Sequence, residues 1–194
     1  QNVGIGISTL DTPLDITPRL QVEGLNASTS SISVFRNSND AHPPYLILGK
    51  SKGTAVNADT VVDDNDVLGK IAFVGADGTD RHNSGAEIFA RVNGDPGAND
   101  LPTELVFGTT ADGGTSPTPR MYISSAGYVG INTDAPAHLC EIKGTANDTH
   151  PLVISNSSDT DVFINYLDGS GNAWHYMKDA SNTTRVRLST AGSS

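Results

Sequence analysis

Short alternations of apolar and polar residues recur along most of the chain. Each alternation is about four to eight residues long, is rich in Val, Ile, Phe and Tyr, and is bounded by Gly, Pro, Asn, Asp or Ser. In AEIFARV (86–92), one side of the alternation carries Ile88, Ala90 and Val92, and the other carries Glu87, Phe89 and Arg91. This is the period-two signature of a strand with one buried face. No window sustains the i, i+3, i+4, i+7 stripe of an amphipathic helix, so the pattern predicts an all-β fold.

The predicted strands are separated by segments with recognisable turn chemistry. They lie at residues 31–35, 45–48, 68–75, 86–92, 104–108, 120–124, 152–155, 161–167 and 185–189. Asp-Gly or Asn-Gly pairs, in which Gly accepts a positive φ, occur within 76–80, 93–97, 111–114 and 168–171. Residues 50–66 are polar and poor in apolar positions, which predicts an exposed loop or a link between elements.

Two Val-Gly-Ile phrases, at residues 3–5 and 129–131, indicate an internal repeat. Each is followed by a Pro-containing stretch and then by a short apolar segment that ends in Gly, LQVEG (20–24) or LCEIKG (139–144). A second phrase recurs as TPRMYISSAG and TTRVRLSTAG. We therefore expect three regions: a first Val-Gly-Ile unit (1–40), a central β module (41–126), and a second unit with the following β module, where the next repeat starts (127–194).

Glycines at these phrases are interpreted as structural. A glycine inside a strand has no side chain, which allows another backbone to approach closely or a bulge to form. We predict that Gly4 and Gly130 lie where chains crowd together, and that Gly127 forms the turn before the second phrase. Gly6 belongs to the same set of structural turn glycines.

Composition and charge narrow the possible partners. The 194 residues include 22 acidic and 12 basic ones, for a net charge of −10. Binding to phosphates needs a basic face, so nucleic acid is not an expected partner. No apolar run approaches the ~18–20 residues that cross a bilayer, so membrane insertion is not expected. Only 36% of residues are hydrophobic and 6% aromatic. Such a chain buries a modest core, and we expect its stability to depend on surface shared with other subunits.

Features of the ends and the cysteine content add two expectations. The first residues carry neither a basic nor an apolar leader, and the chain ends abruptly at RLSTAGSS, so we expect a fragment of a longer protein. The single cysteine, Cys140, excludes an intrachain disulfide and an ordinary Cys-based zinc site. It lies between Leu139 and Ile142, which predicts a small strand residue.

The segment from Arg120 to Asn132, RMYISSAGYVGIN, followed by Pro136 and HLCEIKG, resembles the repeating unit of bacteriophage tail-fibre and tailspike proteins of the Val-Gly-Ile-Gly repeat type. Residues 2–24, and the central GKIAF and ELVFG segments, are similar to modules of the same proteins. Asn132 departs from the pattern, since it stands where the second Gly is usual. The resemblance implies short antiparallel strands in β-sandwich-like and interleaved shaft-like modules of a homotrimeric fibre. It also implies location in the virion, outside the host cell, with other tail proteins as partners.

Two clusters of side chains are candidate binding sites. Asp63, Asp64 and Asp66 could bind Ca²⁺ or Mg²⁺ through carboxylate oxygens, or could form a solvated turn. No other cofactor is expected.

The second cluster is aromatic. Trp174, His175, Tyr176 and nearby Tyr166 could stack on sugar rings of host surface polysaccharide. Alternatively, Trp174 and Tyr176 fill the core of a strand that follows the turn at 168–171.

No catalytic motif is visible. The chain contains no Gly-x-Ser-x-Gly elbow and no Walker-type phosphate loop, and no helix follows GIG (4–6). We therefore predict a non-enzymatic structural segment of a trimeric tail fibre that takes part in host attachment. Two alternatives remain open: a capsid decoration or appendage fibre without a receptor role, and a glycan-degrading tailspike with paired carboxylates.

Overall fold

The computed structural model describes residues 3–7, 9–145, 152–155, 161–167, 173–178 and 184–190. Within these ranges the regular structure consists of strands and one turn of 3-10 helix, Pro13–Asp15. The strands are β1 (Val3–Ile5), β2 (Leu20–Val22), β3 (Val67–Val74), β4 (Ser84–Val92), β5 (Thr103–Thr109), β6 (Thr118–Ile123), β7 (Val129–Ile131), β8 (Cys140–Ile142), β9 (Leu152–Ser155), β10 (Asp161–Leu167), β11 (Ala173–Lys178) and β12 (Thr184–Thr190). The predicted all-β class is confirmed.

The strands form three sheets, and the chain divides into two compact units, Gln1–Pro119 and Arg120–Ser194. β1 and β2 form a two-stranded parallel pair. Six strands form a sheet in the order β3-β4-β5-β6-β7-β8, and four form a sheet in the order β12-β11-β10-β9. The pairs β3–β4, β4–β5 and β6–β7 are antiparallel, as are the pairs of the four-stranded sheet. The expected antiparallel strands are thus present, and β7–β8 is parallel.

Two of the predicted strands are wrong. Residues 31–35 and 45–48 alternate like strands but form none, and no backbone–backbone hydrogen bond involves residues 30–51. A strand exists only where a second strand satisfies its N–H and C=O groups, and this segment has no such partner among the described residues of its own chain. The other seven predicted strands are present, and Cys140 begins one, as expected. Residues 50–66 form the predicted loop.

The core of the first unit is small, as the lean composition predicts. Val92 and Val106, on neighbouring strands, are fully buried, and Phe89 and Val62 are nearly so. The loop before β3 is held to the end of β4, because Val92 N donates to Asp66 O at 2.9 Å and Asn65 N donates to Val92 O at 3.0 Å. The predicted turn glycines Gly78, Gly94 and Gly113 all have positive φ.

Both Val-Gly-Ile segments pair in the same way. Val3, Gly4 and Ile5 lie beside Leu20, Gln21 and Val22 in parallel register, and Val129, Gly130 and Ile131 lie beside Cys140, Glu141 and Ile142. The flanking hydrogen bonds match as well: Glu23 N donates to Ile5 O at 2.9 Å, and Lys143 N donates to Ile131 O at 3.0 Å. Only eight residues separate β7 from β8, fewer than the dozen or so that a parallel connection usually takes.

That short connection requires a glycine in the middle of β7. A Cβ on Gly130 would lie 2.3 Å from Thr133 O, and a Cβ on Gly4 would lie 3.0 Å from Ile7 O. The group that crowds each glycine belongs to the following turn of the same chain.

The residue after each Val-Gly-Ile phrase adopts a left-handed conformation. Gly6 has φ 79°, and Asn132, at the equivalent position, has φ 59°. Asparagine tolerates this region better than other non-glycine residues. Its side chain also contributes, since Asn132 Nδ2 donates to Lys143 O at 2.9 Å. The departure from the Val-Gly-Ile-Gly pattern at Asn132 is therefore compatible with the same backbone path.

The substitution Gly130→Ala tests the close approach. We expect the free energy of unfolding to fall by about 1–3 kcal/mol, because the new Cβ overlaps a backbone carbonyl that cannot move without opening the turn. The matched control is Gly75→Ala, since a Cβ on Gly75 meets nothing within 4 Å and its φ is not in the left-handed region. Chemical denaturation followed by circular dichroism measures both. Equal stability of the two variants would contradict the assignment.

Candidate functional site

The two faces of the sheet formed by β3, β4 and β5 differ in chemistry. On one face, Lys70 Nζ donates to Glu87 Oε2 at 2.6 Å and lies 5.1 Å from the centroid of the Phe89 ring. Arg91 Nε donates to Glu104 Oε1 at 2.7 Å on the same face. Both glutamates are buried by the chain itself. This charged face is therefore an interior surface whose charges are paired.

Glu104 is the extreme case on the charged face. Its side chain is 1% exposed, and among the described residues its Oε2 has no hydrogen-bond partner. A carboxylate buried in this way is stable only while its partner is present. Arg91 therefore neutralises Glu104 and aligns β4 with β5, where the two residues face each other in register.

The opposite face is apolar and poorly covered. Cross-strand register joins Ile71, Ile88 and Phe107 in one row. The next rows contribute Phe73 and Leu105, opposite Ala86 and Ala90. Ile71 is 44% and Phe73 is 54% exposed, while Ile88 and Phe107 are half-buried. We call Ile71, Phe73, Ile88, Leu105 and Phe107 the apolar face.

The alternation along β4 therefore has an unexpected outcome. The pattern predicts one buried face, carrying Ile88, Ala90 and Val92. In the single chain Val92 is fully buried, but Ile88 and Ala90 are only half-buried, whereas Glu87 and Phe89 on the opposite side are buried. An apolar sheet face left partly open in this way is typical of an interaction surface.

Two of the three aspartates in the acidic turn predicted to bind a divalent cation form ion pairs with lysines. Lys52 pairs with Asp63, and Lys50 pairs with Asp66. Asp64 Oδ1 accepts a hydrogen bond from Gly94 N at 2.8 Å. In the part of the chain that the structure describes, no group of three or more His, Cys, Asp and Glu side chains is arranged to hold a metal ion. A Ca²⁺ or Mg²⁺ site at these aspartates stays a prediction.

Ion pairs between lysines and aspartates shift the pKa values of Asp66 and Lys52. The hydrogen bond from Lys50, together with the backbone N–H of Asp63, lowers the pKa of Asp66 to about 2. The hydrogen bond to Asp63 raises the pKa of Lys52. The ion pair with Lys50 thus keeps the Asp66 carboxylate charged in moderate acid.

The aromatic residues predicted to bind glycan lie on β10 and β11. Tyr166 is opposite Trp174 in the register of these strands, and Tyr176 is opposite Ile164. Trp174 is half-buried and His175 is exposed. Tyr166 and Tyr176 are placed here by register alone. The register places Tyr166 opposite Trp174, and β11 begins at Ala173. The predicted turn at 168–171 lies outside the described residues, and glycan binding by this cluster stays a prediction.

A polar cavity that the sequence reasoning missed lies beside the β3–β4 connection. It has a volume of about 450 Å³ and is lined by residues that include Asp11, Thr79, Asp80, Arg81 and His82. Arg81 Nη2 lies 2.9 Å from Asp11 Oδ2, and His82 Nδ1 lies 3.3 Å from Asp15 Oδ1. The half-exposed ion pair of Arg81 with Asp11 contributes at most about 1 kcal/mol, and it links the β3–β4 connection to the segment after β1. The Asp-Gly turn marked the loop, but nothing in the sequence paired Arg81 with Asp11.

In the ranges that the structure covers, no helix has the length and apolar character needed to cross a membrane.

Comparison with known proteins gives one informative likeness. No protein-family model and no curated protein matches the chain. Among solved structures, the carboxy-terminal domain of the bacteriophage T5 L-shaped tail fibre is similar, with a TM-score of 0.51 and 15% sequence identity. The match covers 71% of this chain and 49% of that chain, so this chain spans about half the length of the tail-fibre domain. At this identity, the likeness shows the fold.

Breaking the buried ion pair should be costly. We expect Arg91→Met to lower the free energy of unfolding by about 3 kcal/mol, because it leaves the Glu104 carboxylate buried without a partner. The double variant Arg91→Met, Glu104→Met should recover most of this loss, since both charges are then gone. Urea denaturation measures the cycle. A double variant as unstable as Arg91→Met would refute the explanation.

Removing Lys50 should restore an ordinary titration to Asp66. We expect Lys50→Met to raise the pKa of Asp66 from about 2 towards its ordinary value of 3.8. Because the folded-state pKa is depressed, the stabilisation from this carboxylate is present above pH 3.8 and is lost as the pH falls towards 2. NMR titration of the carboxyl carbon measures the shift, with Lys143→Met as the control that leaves it unchanged.

Proposed function

We propose that this chain is a structural segment of a trimeric bacteriophage tail fibre that takes part in host attachment. The observation that carries the proposal is the likeness of its fold to a tail-fibre domain over 71% of the chain. The Val-Gly-Ile phrases, with their parallel pairing and left-handed following residue, support the same assignment. The protein would then lie in the virion, outside the host cell, with other tail proteins as neighbours.

Surface area supports an assembly of several copies. The chain exposes 13829 Å² of accessible surface. A folded monomer of 20.2 kDa exposes about 8,800 Å² by the usual scaling with mass. Part of the excess is apolar, and Phe35, Tyr45 and Ile47 are each at least 68% exposed. Burying such surface between copies would stabilise the fold by about 25 cal/mol per Å² of apolar area.

A multivalent mechanism fits these features. Each trimer presents three identical copies of every surface, so weak contacts to a host polysaccharide add through avidity. The net charge of −10 per chain gives three times that value per trimer, which keeps neighbouring fibres apart in solution. In this proposal the protein is not an enzyme, and the ion-paired carboxylates of the acidic turn and the charged face act in stability.

The assembly and its location are tested together. We expect a native mass of three times 20.2 kDa by light scattering, and antibody labelling of the chain at the tail of intact particles by electron microscopy. A monomeric mass would refute the trimer. Labelling of the capsid would favour a decoration fibre, and release of new reducing ends from host polysaccharide would favour a glycan-degrading tailspike.

Tryptophan fluorescence tests glycan contact directly, because Trp174 is the only tryptophan. We expect titration with host surface polysaccharide to change its emission, since stacking on a sugar ring alters the surroundings of the indole. His175→Ala should weaken this response several-fold, while His138→Ala, on a different segment, serves as the control. Unchanged emission at saturating polysaccharide would assign Trp174 to packing of the sheet.

A further inference from the structure

We propose that residues 31–48 of one copy lie across the apolar face of the next copy, so that each chain is completed by a segment of its neighbour. This inference rests on the proposed trimer and adds to it the two surfaces that meet. The chain carries both surfaces, and in the single chain each is left largely exposed.

The first surface is the segment itself. Ile32, Val34, Phe35, Leu46 and Ile47 are between 62% and 86% exposed. In the two apolar stretches, 31–35 and 45–48, no backbone N–H or C=O group has a backbone partner among the described residues, so these groups are available to pair with another chain. An extended segment with alternating apolar side chains and unpaired N–H and C=O groups is suited to β-strand addition.

A preformed polar turn divides the segment into two apolar arms, 31–35 and 45–48. Arg36 forms a two-pronged ion pair with Asp40 and also donates to His42 O. Asp40 in turn accepts from His42 N at 2.9 Å and from Ser38 Oγ at 2.8 Å. The charges of the segment are thus neutralised within the turn, and they do not oppose burial of the arms.

The second surface is the apolar face, with the free edge of β3 beside it. None of its five side chains is charged, and the lysine of this part of β3, Lys70, pairs on the opposite face. β3 is the first strand of its sheet, so no strand of the described ranges pairs with its outer edge. The neighbouring segment would contribute apolar side chains to the face and backbone hydrogen bonds to the edge.

One contact joins the segment to the apolar face of its own chain. Leu48 Cβ lies 2.5 Å from the place where a Cβ on Gly69 would be, so the chain passes close to β3 at that glycine. Gly69 is opposite Ala90, in the row next to Ile71 and Ile88. The segment therefore reaches its own apolar face at one corner, while Tyr45, Leu46 and Ile47 remain more than two-thirds exposed.

Reach and symmetry favour another copy. Each apolar arm, 31–35 or 45–48, would span roughly 13–17 Å if extended, enough to cross the ~10 Å of three paired strands. Since every copy has one segment and one apolar face, the contact is between unlike surfaces and propagates from copy to copy. If the rotation between copies closes after three of them, every segment lies on a neighbouring apolar face and no segment or face is left without a partner.

Cysteine pairs can test which surfaces meet. In a Cys140→Ser background, one cysteine is placed on the segment, by Val34→Cys or Ile47→Cys, and one on the apolar face, by Phe73→Cys or Leu105→Cys. We expect at least one of the four pairs to give a covalent trimer under mild oxidation, seen by denaturing electrophoresis without reductant. Ile47→Cys with Ala111→Cys is the matched control, since Ala111 is exposed in a turn away from the face and should give no covalent trimer.

The outcomes separate this inference from the proposed function. Disulfides within one chain for every pair, or covalent dimers of Phe73→Cys alone, would overturn the segment exchange. Absence of covalent trimers from all four pairs, in a protein whose native mass is that of a trimer, would also overturn it while leaving the trimer intact. A monomeric mass before oxidation would refute the proposed function itself.

A second measurement does not depend on disulfide geometry. Ile47→Asp should lower the concentration-dependent melting temperature of the trimer by several degrees, because it places a charge in the proposed interface. Val56→Asp, at a 93% exposed position outside the segment, should leave it unchanged. Equal melting temperatures for the two variants would contradict the inference.

Discussion

Alternation along β5 decides which side of the central sheet the chain fills by itself. Glu104, Val106 and Gly108 are buried, whereas Leu105 is exposed and Phe107 is only half-buried. The chain itself thus buries side chains on the face that carries Glu87 and Glu104, and it leaves the apolar face partly exposed. Burial of apolar area is the main favourable contribution to folding, so a chain with this distribution has favourable free energy still to gain by association.

Close approach of the backbone organises the Val-Gly-Ile segments. The eight-residue connection from β7 to β8 turns so tightly that Thr133 O occupies the space of a Cβ on Gly130. The following residue must then adopt a left-handed conformation, which glycine provides at position 6 and asparagine at position 132. The Val-Gly-Ile sequence therefore allows a compact parallel pair of strands to form, and its glycines are needed for steric reasons.

Charge in this protein serves solubility and local structure. Carboxylates of the acidic turn pair with Lys50 and Lys52, and buried Glu104 pairs with Arg91. Such pairs hold loops and strands in place, and the remaining acidic excess repels other molecules of the same kind.

Local pattern was sufficient for much of this fold and insufficient for the rest. Period-two alternation and turn glycines determined the all-β class, seven of the nine predicted strands, and the loop at 50–66, because strand geometry and positive φ are properties of a few adjacent residues. Residues 31–35 and 45–48 have the same alternation, but no described strand pairs with them. Pairing depends on two segments, and the local pattern of one segment does not identify the other. Three features were decided by the tertiary structure alone: the burial of Glu87 and Phe89 on β4, the pairing of Lys50 and Lys52 with aspartates of the acidic turn, and the parallel pairing of β7 with β8. Each of them depends on contacts between residues that are distant in the chain.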